Sequence, residues 1–192
     1  MRSIIKCPYY YFTSAITDEF CDLIVAAGKE KTQEDAIINT GDKKANLIED
    51  TSYRRGKVAW LKDAWIESML GAYVERANKE ANWNFVLDDK ELIQFTTYDK
   101  QDFYDYHRDC DIVQPKYRKL SVTVQLSDPE TYWGGDLFIR SFWGKKNLPI
   151  NEELRNKGTV IVFPSLLLHS VTRVIKGTRH SLVQWYSGPD FV

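Results

Sequence analysis

The second half of the chain contains a succession of short strand-like runs, and this feature constrains the fold more than any other. Eight segments after residue 83 are rich in aromatic and β-branched residues, and turn signals such as Gly134-Gly135 and Lys176-Gly177 separate them. The predicted strands are residues 84–86, 91–98, 103–107, 119–126, 136–141, 158–163, 169–175 and 179–187. An α-helical beginning followed by about eight strands predicts an α+β fold whose sheets stack as a jelly roll.

The first part of the chain is predicted to support that core with helices. Residues 17–28 begin with the N-cap candidate Thr17 and are expected to end at Gly28. Their apolar stripe is predicted to be Phe20, Leu23, Ile24 and Ala27. Residues 62–78 form the clearest helical pattern, with the stripe Ile66, Met69, Leu70, Tyr73, Val74 and Ala77. Short strands are predicted at residues 4–12 and 58–61.

The length of 192 residues, of which 43% are hydrophobic, predicts a single domain with a sizeable core. We expect helical support over about residues 1–83 and a jelly-roll core over about residues 84–192. Lys and Arg number 26 and Asp and Glu 27, so charge gives no reason to expect nucleic acid or an anionic membrane as partner. The sequence has no apolar run long enough to span a bilayer and no signal-peptide pattern. Three widely spaced cysteines favour free thiols in a reducing cytoplasm.

The segment Phe103-Tyr-Asp-Tyr-His-Arg-Asp109 carries the most specific chemistry. On a strand, residues i and i+2 face the same side, so His107 and Asp109 are predicted to project together as two ligands of a divalent metal. The third ligand must come from elsewhere, and His169 is preferred. Strand alternation turns His180 to the opposite face, and Asp111 remains an alternative carboxylate. A hairpin at Lys176-Gly177 is expected to return Arg179 to the level of His169, where its planar fork suits a carboxylate.

These residues lie in four blocks that together resemble the Fe(II)- and 2-oxoglutarate-dependent dioxygenases, in the prolyl 4-hydroxylase-like branch of bacterial and phage type. The blocks follow the order of the family over roughly residues 91–189, about half of the chain. They are Tyr98-x5-Tyr104-x2-His107-x-Asp109, Lys119–Pro129 with Tyr132–Leu137, Gly158–Pro164 with His169, and Val174-x2-Gly177-x-Arg179-x5-Trp185. His-x-Asp alone is a weak signal, but its combination with a distal His and an Arg ten residues later is specific.

The resemblance implies a double-stranded β-helix core and a set of site residues. It implies His107, Asp109 and His169 as iron ligands and Arg179 as the partner of the distal carboxylate of 2-oxoglutarate. Tyr98 is implied as a hydrogen-bonding neighbour, and the apolar walls of the pocket are implied to be Val124, Leu137 and Trp185. Relatives often have Gly three residues after the first Tyr, whereas this chain has Gln101.

The resemblance further implies hydroxylation of an unactivated C–H bond with release of succinate and CO2, supported by ascorbate as a reductant. A prolyl side chain in a peptide or protein is the leading substrate. A free amino acid, another small metabolite and a non-catalytic cupin-like metal module are the alternatives. Tyr104, Trp133 and Trp143 are candidates for substrate contact, although simple packing explains them equally well. Residues 29–56 are interpreted as a solvated loop or as a lid over the site.

Overall fold

The computed structural model describes residues 7–36, 52–110, 117–140, 147–148 and 152–189. Within these residues the chain forms two α-helices, α1 (Asp18–Glu30) and α2 (Ala64–Glu80), and two short 3-10 helices, Pro129–Thr131 and Glu152–Arg155. The strands in chain order are β1 (Tyr10–Phe12), β2 (Glu34–Asp35), β3 (Arg54–Arg55), β4 (Lys57–Leu61), β5 (Asp89–Lys90), β6 (Ile93–Tyr98), β7 (Phe103–His107), β8 (Tyr117–Gln125), β9 (Trp133–Gly134), β10 (Leu137–Arg140), β11 (Asn147–Leu148), β12 (Val160–Pro164), β13 (His169–Val171), β14 (Val174–Lys176) and β15 (Arg179–Gly188).

Two antiparallel sheets make up most of the described fold. The larger has the order β1-β12-β8-β15-β6-β4-β2, with β5 paired to the end of β15, and the smaller has the order β11-β10-β13-β7-β3. Strands β9 and β14 form a separate two-stranded ribbon. Apolar side chains of both sheets form one buried cluster between them, which contains Tyr98, Leu137, Ile139, Leu154, Ile161, Phe163, Leu167, Val171 and Val174. Stacked antiparallel sheets with helices beside them are the α+β arrangement that the sequence predicts.

Strand β8 separates two environments by simple alternation. Leu120, Val122 and Val124 belong to the core that the large sheet shares with the helices. The residues between them, Ser121, Thr123 and Gln125, are polar and buried on the opposite face. The large sheet therefore has an apolar face toward the helices and a partly polar face toward the small sheet.

Helix α2 confirms its predicted stripe. Its buried residues are Ile66, Leu70, Val74 and Ala77, and Met69 and Tyr73 pack partly buried against the same core. Contacts with β8 and β12 place this helix on the large sheet. The helix begins two residues later and ends two residues later than predicted, which is an ordinary error for helix ends.

Helix α1 is rotated from its predicted orientation, so the predicted stripe is wrong in part. Phe20 and Leu23 are 49% and 58% exposed, whereas the buried positions are Cys21, Ile24 and Gly28. The reason is that the helix backbone at Gly28 packs directly against the Phe95 ring. A Cβ on Gly28 would come within 2.4 Å of that ring. Gly28 is thus a contact point inside the helix and does not end it. Thr17 caps the helix as predicted, accepting a hydrogen bond from the amide of Phe20.

The chain after His169 does not form the predicted hairpin. Strand β13 belongs to the small sheet, β14 pairs with β9, and β15 lies in the large sheet beside β6 and β8. The chain therefore crosses from one sheet to the other. Gly177 makes the crossing at a φ of +76°, with the carbonyl of Thr131 where a Cβ would lie. Arg179 enters opposite Tyr98 of β6, not on a strand beside His169.

The first 83 residues supply strands as well as helices. Strands β1, β2 and β4 join the large sheet and β3 joins the small sheet. Residues 84–86, predicted as a strand, have no strand pairing. Of the segment 29–56, the structure describes the end of α1, β2 and β3, and residues 37–51 lie outside the described residues. Within the described parts of the chain, neither helix has the length and apolarity needed to cross a membrane.

Candidate metal centre and anion site

Strand β7 carries a bulge just before the candidate metal ligands. His107 lies opposite His169 and Tyr104 lies opposite Val171, so β7 advances three residues where β13 advances two. The extra residue turns Tyr104 and His107 to the same side, and their rings stack with centroids 3.5 Å apart at 12°. Bulges of this kind often redirect side chains beside active sites. Here the bulge places His107 beside His169, whose ring centroid is 4.1 Å away.

The two imidazoles and the Asp109 carboxylate form one cluster. One ligand atom of each residue lies within 4.8 Å of the others, and in the described part of the chain this is the one cluster of its kind. His107 Nε2 is 3.5 Å from Asp109 Oδ1, and His169 Nε2 is 3.4 Å from Asp109 Oδ2. All three side chains are at most 9% exposed. The arrangement offers two nitrogens and one carboxylate on one side of a small cation.

Backbone carbonyls fix which nitrogen of each imidazole faces the cluster. His107 Nδ1 lies 2.8 Å from the carbonyl oxygen of Asp105, and His169 Nδ1 lies 2.9 Å from that of Leu167. A carbonyl can only accept a hydrogen bond, so each Nδ1 must carry the proton. Each Nε2 therefore faces Asp109 and is the nitrogen through which the histidine would bind a metal.

The protonation states of the cluster suit a cation. Burial lowers the pKa of His169 to about 4, so its imidazole is neutral at pH 7. Burial opposes ionisation of Asp109, but the nearby imidazoles and the hydrogen bond from Ser121 outweigh it and hold the pKa of this carboxyl below its usual range. A neutral imidazole and an ionised carboxylate are the forms that bind a metal.

Arg179 is a buried cation held by neutral groups. It is 2% exposed, and it donates from Nη2 to Gln125 Oε1 at 2.8 Å and from Nη1 to Ser181 Oγ at 3.3 Å. Its Nε is buried and has no hydrogen-bond partner among the described residues. A buried guanidinium without a neutralising acid is costly unless an anion joins it. The site therefore has an unused donor that suits a carboxylate ligand.

The predicted co-substrate pocket residues divide between the two faces of the large sheet. Tyr98 and Leu137 lie in the cluster between the sheets, and Trp185 is buried on the same side with its Nε1 lacking a hydrogen-bond partner among the described residues. Val124 instead packs toward the helices, opposite Leu182. Because side chains alternate along β8, Thr123 and Gln125 face the site and Val124 faces away from it. Val124 therefore does not line the pocket.

Burial separates the three residues predicted to contact substrate. Tyr104 stacks on His107 and lies under the guanidinium of Arg54, whose Cζ is 4.4 Å from the ring centroid. Trp133 is 68% exposed on β9, in the ribbon beside the sheets. Trp143 lies outside the described residues. Tyr104 therefore packs against the cluster, while Trp133 lies on the surface.

The sequence offers two alternative metal ligands, His180 and Asp111, and the structure describes only His180. His180 points away from the cluster, stacks on Phe95 at 5.3 Å and lies 3.2 Å from Thr97 Oγ1. This is the orientation that strand alternation predicts. Asp111 lies outside the described residues.

Several polar residues of the site were not singled out from the sequence. They are Gln125 beside Arg179, Ser121 and Ser165 beside Asp109, and Arg54 above Tyr104. For β8 a signal existed, because apolar residues at 120, 122 and 124 alternate with polar ones at 121, 123 and 125. A buried strand with one polar face indicates a site on that face.

Comparison with protein families and curated proteins gives a consistent likeness. The model of the family described as "2OG-Fe(II) oxygenase superfamily" matches residues 93–187, about half of the chain. A "PKHD-type hydroxylase" of Shewanella frigidimarina is 34% identical over 97 residues, which are 47% of this chain and 41% of that protein. The match thus spans less than half the length of this relative.

Solved structures extend the likeness to nearly the whole chain. A prolyl-4-hydroxylase of Pseudomonas putida superposes with a TM-score of 0.68 at 16% identity, over 96% of this chain and 95% of that one. A prolyl hydroxylase of Trichoplax adhaerens, in complex with a peptide fragment of the hypoxia inducible factor oxygen degradation domain, superposes with a TM-score of 0.72 at 15% identity, over 95% and 84%. At such identities the likeness concerns the fold, and it confirms the predicted double-stranded β-helix.

Proposed function

The chain belongs to the 2OG-Fe(II) oxygenase superfamily, and we propose that it is an Fe(II)- and 2-oxoglutarate-dependent dioxygenase that hydroxylates a prolyl side chain in a peptide or protein. The observation that carries the proposal is the presence of two complementary features between the same sheets. One is the buried His–Asp–His cluster, and the other is the buried Arg179 with an unused Nε donor.

The spacing of these features suits a short dicarboxylate. Ser121, which contacts Asp109, and Gln125, which contacts Arg179, lie four residues apart on one face of β8. Strand geometry puts their Cα atoms about 13 Å apart, and the side chains reach inward from both ends. Arg179 lies opposite Tyr98 of β6, and its Cζ is 5.5 Å from the centroid of the Tyr98 ring. A five-carbon diacid fits between a cation at one end and a guanidinium at the other.

The donor set fits Fe(II), and each residue then has a defined role. His107, Asp109 and His169 would hold the metal, and Arg179 would pair with the distal carboxylate of 2-oxoglutarate. Tyr98 would neighbour that carboxylate, while Leu137 and Trp185 would exclude water. When bound, Fe(II) and 2-oxoglutarate supply the oxidising chemistry, which consumes O2, releases succinate and CO2 and hydroxylates a C–H bond. The protein contributes binding, orientation and exclusion of solvent.

A prolyl residue is the proposed target, and the support is of two kinds. The relative named above is a PKHD-type hydroxylase, the two fold neighbours are prolyl hydroxylases, and one of these neighbours is in complex with a peptide fragment. Tyr104, stacked on His107, provides an aromatic wall beside the metal position, and exposed Trp133 is a rigid surface suited to an extended chain. Proline-rich peptides are already extended, so their binding costs less entropy. We further propose ascorbate as the reductant that sustains turnover and a single domain for residues 1–192.

The test is a substrate screen. Proline-rich peptides are incubated with the protein, Fe(II), 2-oxoglutarate, ascorbate and O2, and each peptide is examined by mass spectrometry for the gain of one oxygen atom. The proposal predicts oxygen on proline in at least one peptide and none when 2-oxoglutarate is omitted. Oxygen gained by a free amino acid or another metabolite, with none on any peptide, would refute the peptide assignment and leave the metal and co-substrate roles intact.

A further inference from the structure

Two buried serines extend inward from the Asp109 carboxylate. Ser121 Oγ on β8 lies 2.7 Å from Asp109 Oδ2, and Ser165 Oγ lies 2.8 Å from Ser121 Oγ. Both serines are 0% exposed, so neither hydroxyl exchanges its partner with solvent. Neither serine belongs to the His–Asp–His cluster.

The direction of this hydrogen-bond chain is forced by chemistry. An ionised carboxylate can only accept, so Ser121 donates its single proton to Asp109. Ser121 then has no proton left for Ser165, so Ser165 must donate to Ser121. The result is a one-way chain in which Ser165 acts on Asp109 only through Ser121. Hydrogen bonds to a charged acceptor are stronger than neutral ones, and neighbouring bonds in a chain polarise one another.

Ser165 also holds the backbone beside the carboxylate. Its carbonyl oxygen accepts from the amides of Asp109 and Cys110, each at 3.0 Å. Ser165 follows the end of β12 and precedes His169 by four residues, in the segment whose Leu167 carbonyl orients the His169 ring. The same short segment therefore positions Asp109 by main chain and side chain and His169 by main chain.

We propose that Ser121 and Ser165 are positioning residues of the metal site. Ser121 donates to Oδ2 of Asp109 and so sets the plane of the carboxylate beside the two imidazoles, and Ser165 orients the Ser121 hydroxyl. This inference rests on the proposed function in one respect, namely that Asp109 is a metal ligand. Residues that hydrogen-bond to a metal-binding side chain without touching the metal typically contribute about 10–100-fold to metal affinity.

The first experiment measures divalent-metal affinity and needs no turnover. Metal-free protein is titrated with Co(II) under anaerobic conditions, and binding is followed by calorimetry and by the visible spectrum of the ion. Ser121→Ala and the isosteric Ser121→Cys, whose thiol is a weak donor, are expected to bind about 10–100-fold more weakly than the parent. Ser121→Thr keeps the hydroxyl and is expected to retain the parent affinity within about threefold. Thermal unfolding of each metal-free variant shows that it is folded.

Ser170→Ala is the matched control. Ser170 is also a buried serine and follows the candidate ligand His169 directly, but it lies on the outer face of the small sheet opposite Phe138. Its hydroxyl does not touch the metal cluster. The affinity of this variant is expected to equal that of the parent.

A double-mutant cycle tests the order of the chain. Ser165→Ala alone is expected to weaken Co(II) binding less than Ser121→Ala does, because Ser121 still donates to Asp109. In a Ser121→Ala background, Ser165→Ala is expected to cause no further loss, since its path to the carboxylate is already cut. A merely structural contribution of Ser165 would instead add fully to that of Ser121.

The outcomes separate this inference from the proposed function. If the parent binds Co(II) and the Ser121→Ala and Ser121→Cys variants bind equally well, the positioning role is refuted while the metal site stands. Additive losses in the cycle would refute the role of Ser165. If the parent itself binds no divalent metal, the proposed function and this inference fail together. Weak binding by Ser121→Ala and Ser121→Cys, recovery by Ser121→Thr and a non-additive cycle support the proposal.

Discussion

Among single residues, Arg179 makes the most specific demand on a ligand. Its partners Gln125 and Ser181 are neutral, so its charge remains available in a buried place. A hydrogen bond to a charged group contributes about 1.5–3 kcal/mol. We therefore predict that Arg179→Ala raises the 2-oxoglutarate concentration needed for half-maximal turnover at least about tenfold while metal content stays nearly unchanged.

Two substitutions of Gln125 test the same prediction that the charge of Arg179 binds 2-oxoglutarate. Gln125→Glu places a carboxylate on the guanidinium and should repel the co-substrate, with a loss of at least about tenfold in affinity. Gln125→Met keeps the shape without the charge and should lose much less. Equal losses in both variants, measured by calorimetry in the presence of a redox-inert metal, would mean that the charge of Arg179 is not what the co-substrate uses.

Gln101 is a second residue whose conformation has a measurable consequence. It holds a φ of +75°, which lies in the left-handed region that glycine adopts most easily. A side chain there costs about 1–2 kcal/mol, partly offset by the extra flexibility that glycine gives the unfolded chain. Gln101→Gly is predicted to stabilise the protein by about 1 kcal/mol and to raise Tm by about 2–4 °C. Gln101→Ala, which keeps a Cβ, should bring no such gain, and an unchanged Tm in both variants would contradict the strain.

The roles of single residues could be predicted where strand alternation alone decides them. His180 follows Arg179 on β15, so its side is predictable from the sequence. Asp109 lies two residues after the end of β7, so strand alternation does not set its position beside His107. The bulge in β7 that brings Tyr104 onto the same side as His107 has no local sequence signal, because it is set by pairing with β13. The family resemblance implies Val124 in the pocket, but the alternation of β8 turns Val124 toward the helices and places Gln125 beside Arg179.

At the scale of elements, helix α1 shows which information a sequence pattern lacks. Its amphipathic stripe predicted Phe20 and Leu23 as buried, yet the helix packs through Gly28 against Phe95. A glycine has no side chain and so does not appear in an apolar stripe, yet it lets the helix backbone approach a neighbouring side chain most closely. Helix α2 packs through large aliphatic side chains, and its stripe was therefore predicted correctly.

This packing leads to a prediction for α1. Gly28→Ala adds a methyl group that would lie 2.4 Å from Phe95 Cγ, so the helix must shift. Overpacking of this kind costs about 1–3 kcal/mol, which exceeds the gain in helix propensity from replacing glycine. Chemical denaturation should show that loss. Leu23→Ala, at an exposed position of the same helix, is the control and should change the free energy of unfolding by less than about 0.5 kcal/mol; a Gly28→Ala variant as stable as the parent would place α1 differently.

The crossing after β13 is the other element that the sequence did not reveal. A hairpin and a sheet-to-sheet crossing both begin with the same turn signal at Lys176-Gly177. Which one forms depends on whether β15 pairs more favourably with β13 or with β6 and β8. That competition involves residues about 55 to 90 positions away. Both the hairpin and the crossing bring Arg179 near the site. The wrong topology therefore does not change the prediction that Arg179 pairs with the distal carboxylate of 2-oxoglutarate.

At the scale of the whole molecule, buried histidines set the response of the metal-free protein to acid. Burial lowers the pKa of His180 to about 4, and the same holds for His169. In the unfolded chain a histidine titrates near about 6.5, so between these values the unfolded state binds more protons than the folded state. The free energy of unfolding is therefore predicted to fall as the pH drops from about 6.5 to about 4.

His180→Gln isolates one contribution to this acid sensitivity without touching the cluster. The variant removes a titrating group from the contact with Phe95 and Thr97, so the stability of the metal-free protein should depend less steeply on pH over that window. Denaturant unfolding at several pH values gives the slope. A slope equal to that of the parent would show that His180 titrates normally in the folded state.

The central claim, that the cluster and Arg179 form the site of an Fe(II)- and 2-oxoglutarate-dependent dioxygenase, is tested most directly by succinate formation. The protein is incubated with 2-oxoglutarate, Fe(II) and O2, and succinate is quantified for the parent, for His107→Ala and for the control Asp111→Asn, with anaerobic and metal-free samples alongside. The account predicts succinate from the parent and from Asp111→Asn, only when both Fe(II) and O2 are present, and background levels from His107→Ala. Full Fe(II)-dependent succinate formation by His107→Ala, or none by the folded parent, would contradict it.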